Sequence, residues 1–140
     1  MTKHTILIAD DNPHMRVAMR KRLTAFGYDV VEAPDGLGVL SQCPKGWVDL
    51  VILDHEMPNG DGRSVARVIR NETDIPIIFV SGHDRHEFHS IVMDLPNVYF
   101  LPKPLDDEKL RELLASLLPP RCAPLVGAKP SPKELNMTQL

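Results

Sequence analysis

Residues 51–62 read VILDHEMPNGDG. Three apolar residues, preceded by Leu50, run without a break into Asp54, and a segment containing Pro58, Gly60 and Gly62 follows. An unbroken apolar run of this length, ended by turn-forming residues, fits a strand covered on both faces rather than one face of a solvated sheet. Such strands belong to parallel sheets sandwiched between helices, and that expectation organises the rest of the chain.

Toward the amino terminus, HTILIA (4–9) reads as a first strand ending at Asp10 and Asp11. The next segment, NPHMRVAMRKRLTAFG (12–27), offers Asn12 as a helix cap, Pro13 at the first helical position and Gly27 as a terminator. Met15, Met19, Leu23 and Phe26 fall on one stripe of that helix. YDVVEA (28–33) is a second strand, and DGLGVLSQC (35–43) a short helix weakened by Gly38.

Beyond the opening stretch, RSVARVIRN (63–71) predicts a helix and IPIIFV (75–80) a strand ending at Ser81. In GHDRHEFHSIVMDLP (82–96), Phe88, Ile91, Val92 and Leu95 have helical spacing. VYFL (98–101) is a fifth strand leading into PKP, and DDEKLRELLASLL (106–118) is a closing helix with acids in its first turn. Pro119 and Pro120 stop it. The expectation is an α/β domain over residues 1–118, a (βα)5 unit with a doubly wound, five-stranded parallel sheet. The proline-rich remainder, 119–140, reads as a flexible tail with no second domain after it.

The chain has 140 residues, the size of one ordinary domain, with 43% hydrophobic and 25% charged residues and a formal net charge of −3. That balance gives no bulk attraction to nucleic acid. No apolar run approaches the ~20 residues that cross a bilayer, and acids arrive too early for a signal-peptide core, so a cytoplasmic protein is expected. Cys43 and Cys122 are too few for a disulfide framework or a zinc site.

Open α/β sheets carry their functional groups at the carboxyl ends of the strands. Here those ends present Asp10 and Asp11, then Asp54, then Ser81, and shortly after the fifth strand Lys103. Carboxylates gathered at short range repel one another unless a cation intervenes, and Mg²⁺ is the natural partner for such an oxygen-rich set. A lysine and a serine hydroxyl add a point charge and a hydrogen-bond donor able to hold a phosphoryl group.

In this order, IADD, LDHEMPNGDG, VSG and LPKP resemble the receiver domain of two-component response regulators, of the single-domain, chemotaxis-regulator-like type, over residues 4 to about 118. The resemblance implies a flavodoxin-like strand order 2-1-3-4-5. It implies that Asp54 is the phosphoacceptor, with Mg²⁺ bound directly by Asp11, Asp54 and the backbone carbonyl of Glu56, and through water by Asp10. It further implies that Ser81 and Lys103 hold the phosphoryl group, and that Ser81 and Phe100 form a switch in which a phenyl ring lacks the phenolic hydroxyl for an outside hydrogen bond. The implied partners are a histidine kinase or phosphotransfer protein and a downstream protein target, without direct nucleic-acid or membrane binding. The implied state is a monomer or a phosphorylation-dependent dimer. The domain would be no turnover enzyme, although it would assist its own phosphorylation and dephosphorylation.

Two positions depart from small polar residues. Glu56 and His83 stand two residues after Asp54 and Ser81, where side chains tune attack of water on the acyl phosphate. The segment before the fifth strand also lacks a Gly-Ala turn. His83, His86 and His89 are spaced as a solvated polar face rather than a metal site. Arg16, Arg20, Lys21 and Arg22 read as a solvated helix face or, by the resemblance, a docking surface for the phosphodonor. Gly60 and Gly62 read as loop glycines. LDHE also resembles the nucleophile of haloacid-dehalogenase-like Mg²⁺-dependent phosphohydrolases, which keeps a second function open.

Overall fold

A computed structural model describes residues 3–42, 48–54, 62–82 and 95–118. Within them β1 (Thr5–Ala9), β2 (Asp29–Ala33), β3 (Leu50–Asp54), β4 (Ile77–Ser81) and β5 (Val98–Pro102) form one sheet in the order β2-β1-β3-β4-β5. Every strand pair is parallel. The helices are α1 (Pro13–Ala25), α2 (Gly36–Gln42), α3 (Gly62–Glu72) and α4 (Asp107–Leu117).

The unbroken apolar runs have the expected cause. β1, β3 and β4 are buried along their whole length. Successive residues feed opposite cores, because side chains alternate across a strand. Leu7, Val51, Leu53, Ile77 and Phe79 pack with Val65 and Ile69 of α3, whereas Ile6, Ile8, Ile52, Ile78 and Val80 pack with Leu23 of α1 and Leu110 and Leu114 of α4. Each fully buried large side chain contributes about 1.5–3 kcal/mol relative to exposure.

Local sequence sets the helix ends. The Asn12 side chain accepts from the amides of His14 (2.9 Å) and Met15 (3.4 Å), and Pro13 occupies the start of α1. At the other end the amide of Tyr28 bonds the carbonyl of Leu23 and that of Gly27 the carbonyl of Thr24, with Gly27 at φ +100°. This paired closure needs a left-handed residue, which glycine adopts at little cost. α4 is capped by Asp106, whose carboxylate accepts from the amides of Glu108 and Lys109. Gly38 belongs to α2 for a packing reason: a Cβ there would lie 3.1 Å from that of Ala33.

Several readings are corrected. Gly62 is the first residue of α3 rather than a loop residue. Met15, placed on the buried stripe of α1, is 38% exposed. Of the arginines read as a solvated or docking face, only Arg16 is largely covered, at 18% exposure; Arg16 and Arg20 both pair with Glu32 of β2, and Arg22 pairs with Asp107 of α4 at 3.1 Å, Arg20 staying exposed to solvent and Arg22 partly so. They tie α1 to its neighbours. The turn before β5 places Asn97 at φ +58°, supplying the left-handed residue where a Gly-Ala turn is missing.

At the opposite edge of the sheet from the strand ends, the Arg70 guanidinium donates to the carbonyls of Thr73 (2.8 Å), Ile75 (2.8 Å) and Asn97 (3.3 Å). It fastens the exit of α3 to the entries of β4 and β5. The expected helix within 82–96, apart from Gly82, Leu95 and Pro96, lies outside the described residues, as do Cys43, Cys122, Gly60, the histidines at 83, 86 and 89 and the tail 119–140.

Candidate functional site

The strand order reverses between β1 and β3, and an open sheet forms a crevice at the carboxyl end of such a reversal. Asp10 follows β1 directly and Asp54 is the last residue of β3, so both acids stand at this crevice. One carboxylate oxygen each from Asp10, Asp11 and Asp54 lies within 4.8 Å of the others. Asp54 is buried, Asp10 half-buried and Asp11 exposed, so the cluster opens to solvent at Asp11.

The turn carrying the first two acids is held by Asp10 itself. Its Oδ1 accepts from the amide of Asn12 (2.9 Å), and its own amide donates to the carbonyl of Ala33 in β2 (3.3 Å). Asp10 is thus both a turn former and a member of the cluster. Burial above all raises its carboxyl above the usual carboxylate range. Asp54 and Asp11 add to the rise, while the Asn12 amide and Lys103 oppose it. A carboxylate that resists ionisation beside two others is a site where a bound cation lowers the free energy.

Lys103 follows β5 and reaches back across the sheet, its Nζ 3.4 Å from Asp54 Oδ1. Its amide donates to the carbonyl of Ser81 (2.9 Å), locking the residue after β5 onto the last residue of β4. Ser81 is 2% exposed. In the register Phe79 lies beside Phe100 and Ser81 beside Pro102, and Phe100 packs, half-buried, on the core beneath α3. Strand alternation puts Ser81 on the same side of the sheet as Phe79 and Phe100, so Ser81 and Phe100 share one face.

Asp10, Asp11, Asp54 and Lys103 are therefore brought together. Ser81 is fastened to the lysine's backbone, and Phe100 sits in the adjoining layer. Glu56 and His83 lie outside the described residues. A pocket beside the acids is floored by Ile8, Ile52 and Val80 and walled by Met15, Met19 and Leu105.

Sequence reading missed Arg16 as a site neighbour. Its Nη1 donates to the backbone carbonyl of Asp10 at 2.6 Å. The available signal was its place one turn after the Asn12 cap, which aims a long side chain back at the strand end.

The donor set suits a hard cation. Octahedral Mg²⁺ with bonds of about 2.1 Å sets its ligand oxygens about 3–4.2 Å apart. Separations within 4.8 Å then accommodate two direct carboxylates with a third acting through water.

Comparison with known proteins agrees with this geometry. The family model described as response regulator receiver domain matches residues 6–115. A probable transcriptional regulator, ycf27, of Porphyridium aerugineum is 33% identical over 118 residues, covering 84% of this chain and 49% of that protein, so the chain spans about half the length of this curated relative. A response regulator receiver protein from Pseudomonas putida, of known structure, is 32% identical with a TM-score of 0.73, covering 83% of this chain and 98% of that one. The receiver domain of a sensor histidine kinase from Pseudomonas aeruginosa PAO1 was solved with a magnesium ion coordinated in its active site cleft. It superposes with a TM-score of 0.74 at 24% identity, over 82% of this chain and 97% of that one, a likeness of fold. No helix among the described residues is long and apolar enough to cross a membrane. A parallel sheet in the order β2-β1-β3-β4-β5 and a family match running from β1 into α4 converge on one assignment: the chain belongs to the response regulator receiver domain family.

Proposed function

We propose that this domain is a phosphorylation-dependent signalling module of a two-component or phosphorelay system. Asp54 takes a phosphoryl group from a phosphohistidine on a histidine kinase or phosphotransfer protein, and the phosphorylated form changes its binding to a downstream protein. The observation that carries this reading is the convergence on Asp54 of two acids within 4.8 Å and a lysine at 3.4 Å.

A carboxylate oxygen of Asp54 forms the new bond to phosphorus as the phosphorus–nitrogen bond to the donor imidazole breaks, the electron pair returning to the ring nitrogen. The transition state is loose, so the protein's work is mainly alignment and charge neutralisation. Asp11 and Asp54, with the backbone carbonyl of Glu56, would hold Mg²⁺ directly and Asp10 would hold it through water. When bound, the ion supplies charge neutralisation at the phosphoryl oxygens. The Lys103 ammonium moves from Asp54 toward a phosphoryl oxygen, and the Ser81 hydroxyl donates to another. Ser81 shifts toward the phosphoryl group to make this bond, and the Phe100 ring responds to that shift in switching.

In this reading the domain works in the cytosol and is not a turnover enzyme. Readout is by protein contact, in keeping with a net charge of −3 and a pI near 6.0, which give no general attraction to nucleic acid. Glu56 and His83 tune the lifetime of the acyl phosphate. The haloacid-dehalogenase-like alternative rests on LDHE alone, against a receiver match over residues 6–115.

Incubation of wild type and Asp54→Asn with Mg²⁺ and acetyl phosphate, followed by intact mass, tests the proposal. Wild type gains one phosphoryl group and the variant none. An equal response of both, or steady hydrolysis of a generic phosphate ester without a labelled protein, overturns it.

A further inference from the structure

We propose that Arg16, anchored by Glu32, is a positioning residue that orients the Asp10–Asp11 peptide so that Asp11 faces a divalent cation. This rests on the proposed phosphoacceptor function, and its test separates the two.

Asp11 is the exposed member of the cluster, and its presentation depends on the peptide that precedes it. The carbonyl of that peptide belongs to Asp10 and receives Arg16 Nη1 at 2.6 Å. The Arg16 Nε lies 3.5 Å from Glu32 Oε1, and its side chain is only 18% exposed. Glu32 sits next to Ala33, whose carbonyl receives the Asp10 amide. One end of β2 thus holds the chain on both sides of the Asp10 Cα, the Ala9–Asp10 peptide directly through Ala33 and the Asp10–Asp11 peptide through Glu32 and Arg16. Arg20 pairs with the other oxygen of Glu32, fixing the carboxylate that fixes Arg16.

A guanidinium can serve two acceptors in different directions at once, whereas an ammonium is a single point charge. The chemistry also separates position from charge. A cation beside an acid cluster, acting through charge alone, repels a metal ion, so its removal would tighten Mg²⁺ binding. A cation that holds the ligand loop has the opposite effect on removal.

Calorimetric titration of Mg²⁺ into the metal-free full chain decides the matter, with thermal unfolding recorded alongside. Arg16→Met and Arg16→Lys each weaken Mg²⁺ binding about fivefold, as loss of one orienting hydrogen bond would. The Asn12 amide also exchanges faster with solvent in both, while that of Leu53 in β3 does not. Unchanged or tighter binding in Arg16→Met, full rescue by lysine, or a lowered Tm with unchanged Mg²⁺ affinity overturns the inference and leaves the proposed function standing. Failure of wild type to bind Mg²⁺ overturns both. Should Arg16→Met not fold, the lysine variant, which keeps the stem and the charge, carries the same test.

Discussion

Lys103 and Asp54 are 49 residues apart in sequence, and their side chains meet at 3.4 Å across the carboxyl ends of the sheet. The contact depends on backbone as much as on charge, because the Lys103 amide is bonded to the carbonyl of Ser81 at 2.9 Å. The ammonium is thus delivered from a fixed point. About a third of the lysine side chain remains exposed, which leaves it room to follow an incoming phosphoryl group.

Lys103→Met is expected to slow phosphorylation of Asp54 by acetyl phosphate about 100-fold, the scale on which preorganised charge at a transition state acts. Mg²⁺ affinity should hold or increase, since a competing cation is gone. Initial rates at saturating Mg²⁺ check this, and a variant as fast as wild type would remove Lys103 from the chemistry.

Asp10 gives a prediction in pH. Burial raises its folded-state carboxyl from the ordinary value of 3.8, so the fold binds the proton more tightly than the unfolded chain. Its contribution to stability is therefore fully present below that value and is lost as pH rises through the folded-state pKa. Asp10→Asn keeps an acceptor for the Asn12 amide and removes the charge. The metal-free variant should be more stable than wild type at neutral pH, with the gain shrinking to nothing in acid. Urea unfolding at a series of pH values reads it, and an equal or larger gain in acid would contradict burial as the cause. Added Mg²⁺ should stabilise wild type more than the variant.

Asn97 combines a left-handed backbone with two side-chain bonds, its Nδ2 donating to the Asp74 carbonyl (2.7 Å) and its Oδ1 accepting from the Tyr99 hydroxyl (2.9 Å). Asn97→Ala should cost about 2–3 kcal/mol, the sum of a left-handed penalty and lost hydrogen bonds. Asn97→Gly should cost less, because glycine keeps the conformation. Denaturant midpoints rank the pair, and a glycine variant less stable than the alanine variant would show that the backbone conformation is not what asparagine secures at this turn.

Much of the fold and site was legible in the sequence because the causes are local or periodic. Alternating burial between two cores makes the interiors of β1, β3 and β4 apolar, and Asn12, Pro13 and Gly27 mark α1 within a few residues. The acids and Lys103 stand at the ends of recognisable strands, so their convergence follows from the fold. What was missed depends on side chains that reach across elements. The Asp49 carboxylate accepts from the Thr5 amide (2.8 Å), 44 residues away, where β1 meets the start of β3. Arg16 reads as one more surface cation until β2 brings Glu32 to it. Met15 fits the buried stripe by spacing, yet it sits where α1 overhangs the site pocket rather than the core.

Everything proposed for this domain turns on Asp54 itself carrying the phosphoryl group. Reaction of wild type with acetyl phosphate and Mg²⁺, reduction of the acyl phosphate with borohydride and peptide mapping by mass spectrometry locate the acceptor directly. The expected result is a reductive mark at Asp54 alone, dependent on Mg²⁺; a mark at Asp10 or Asp11, with Asp54 unmodified, would refute the assignment.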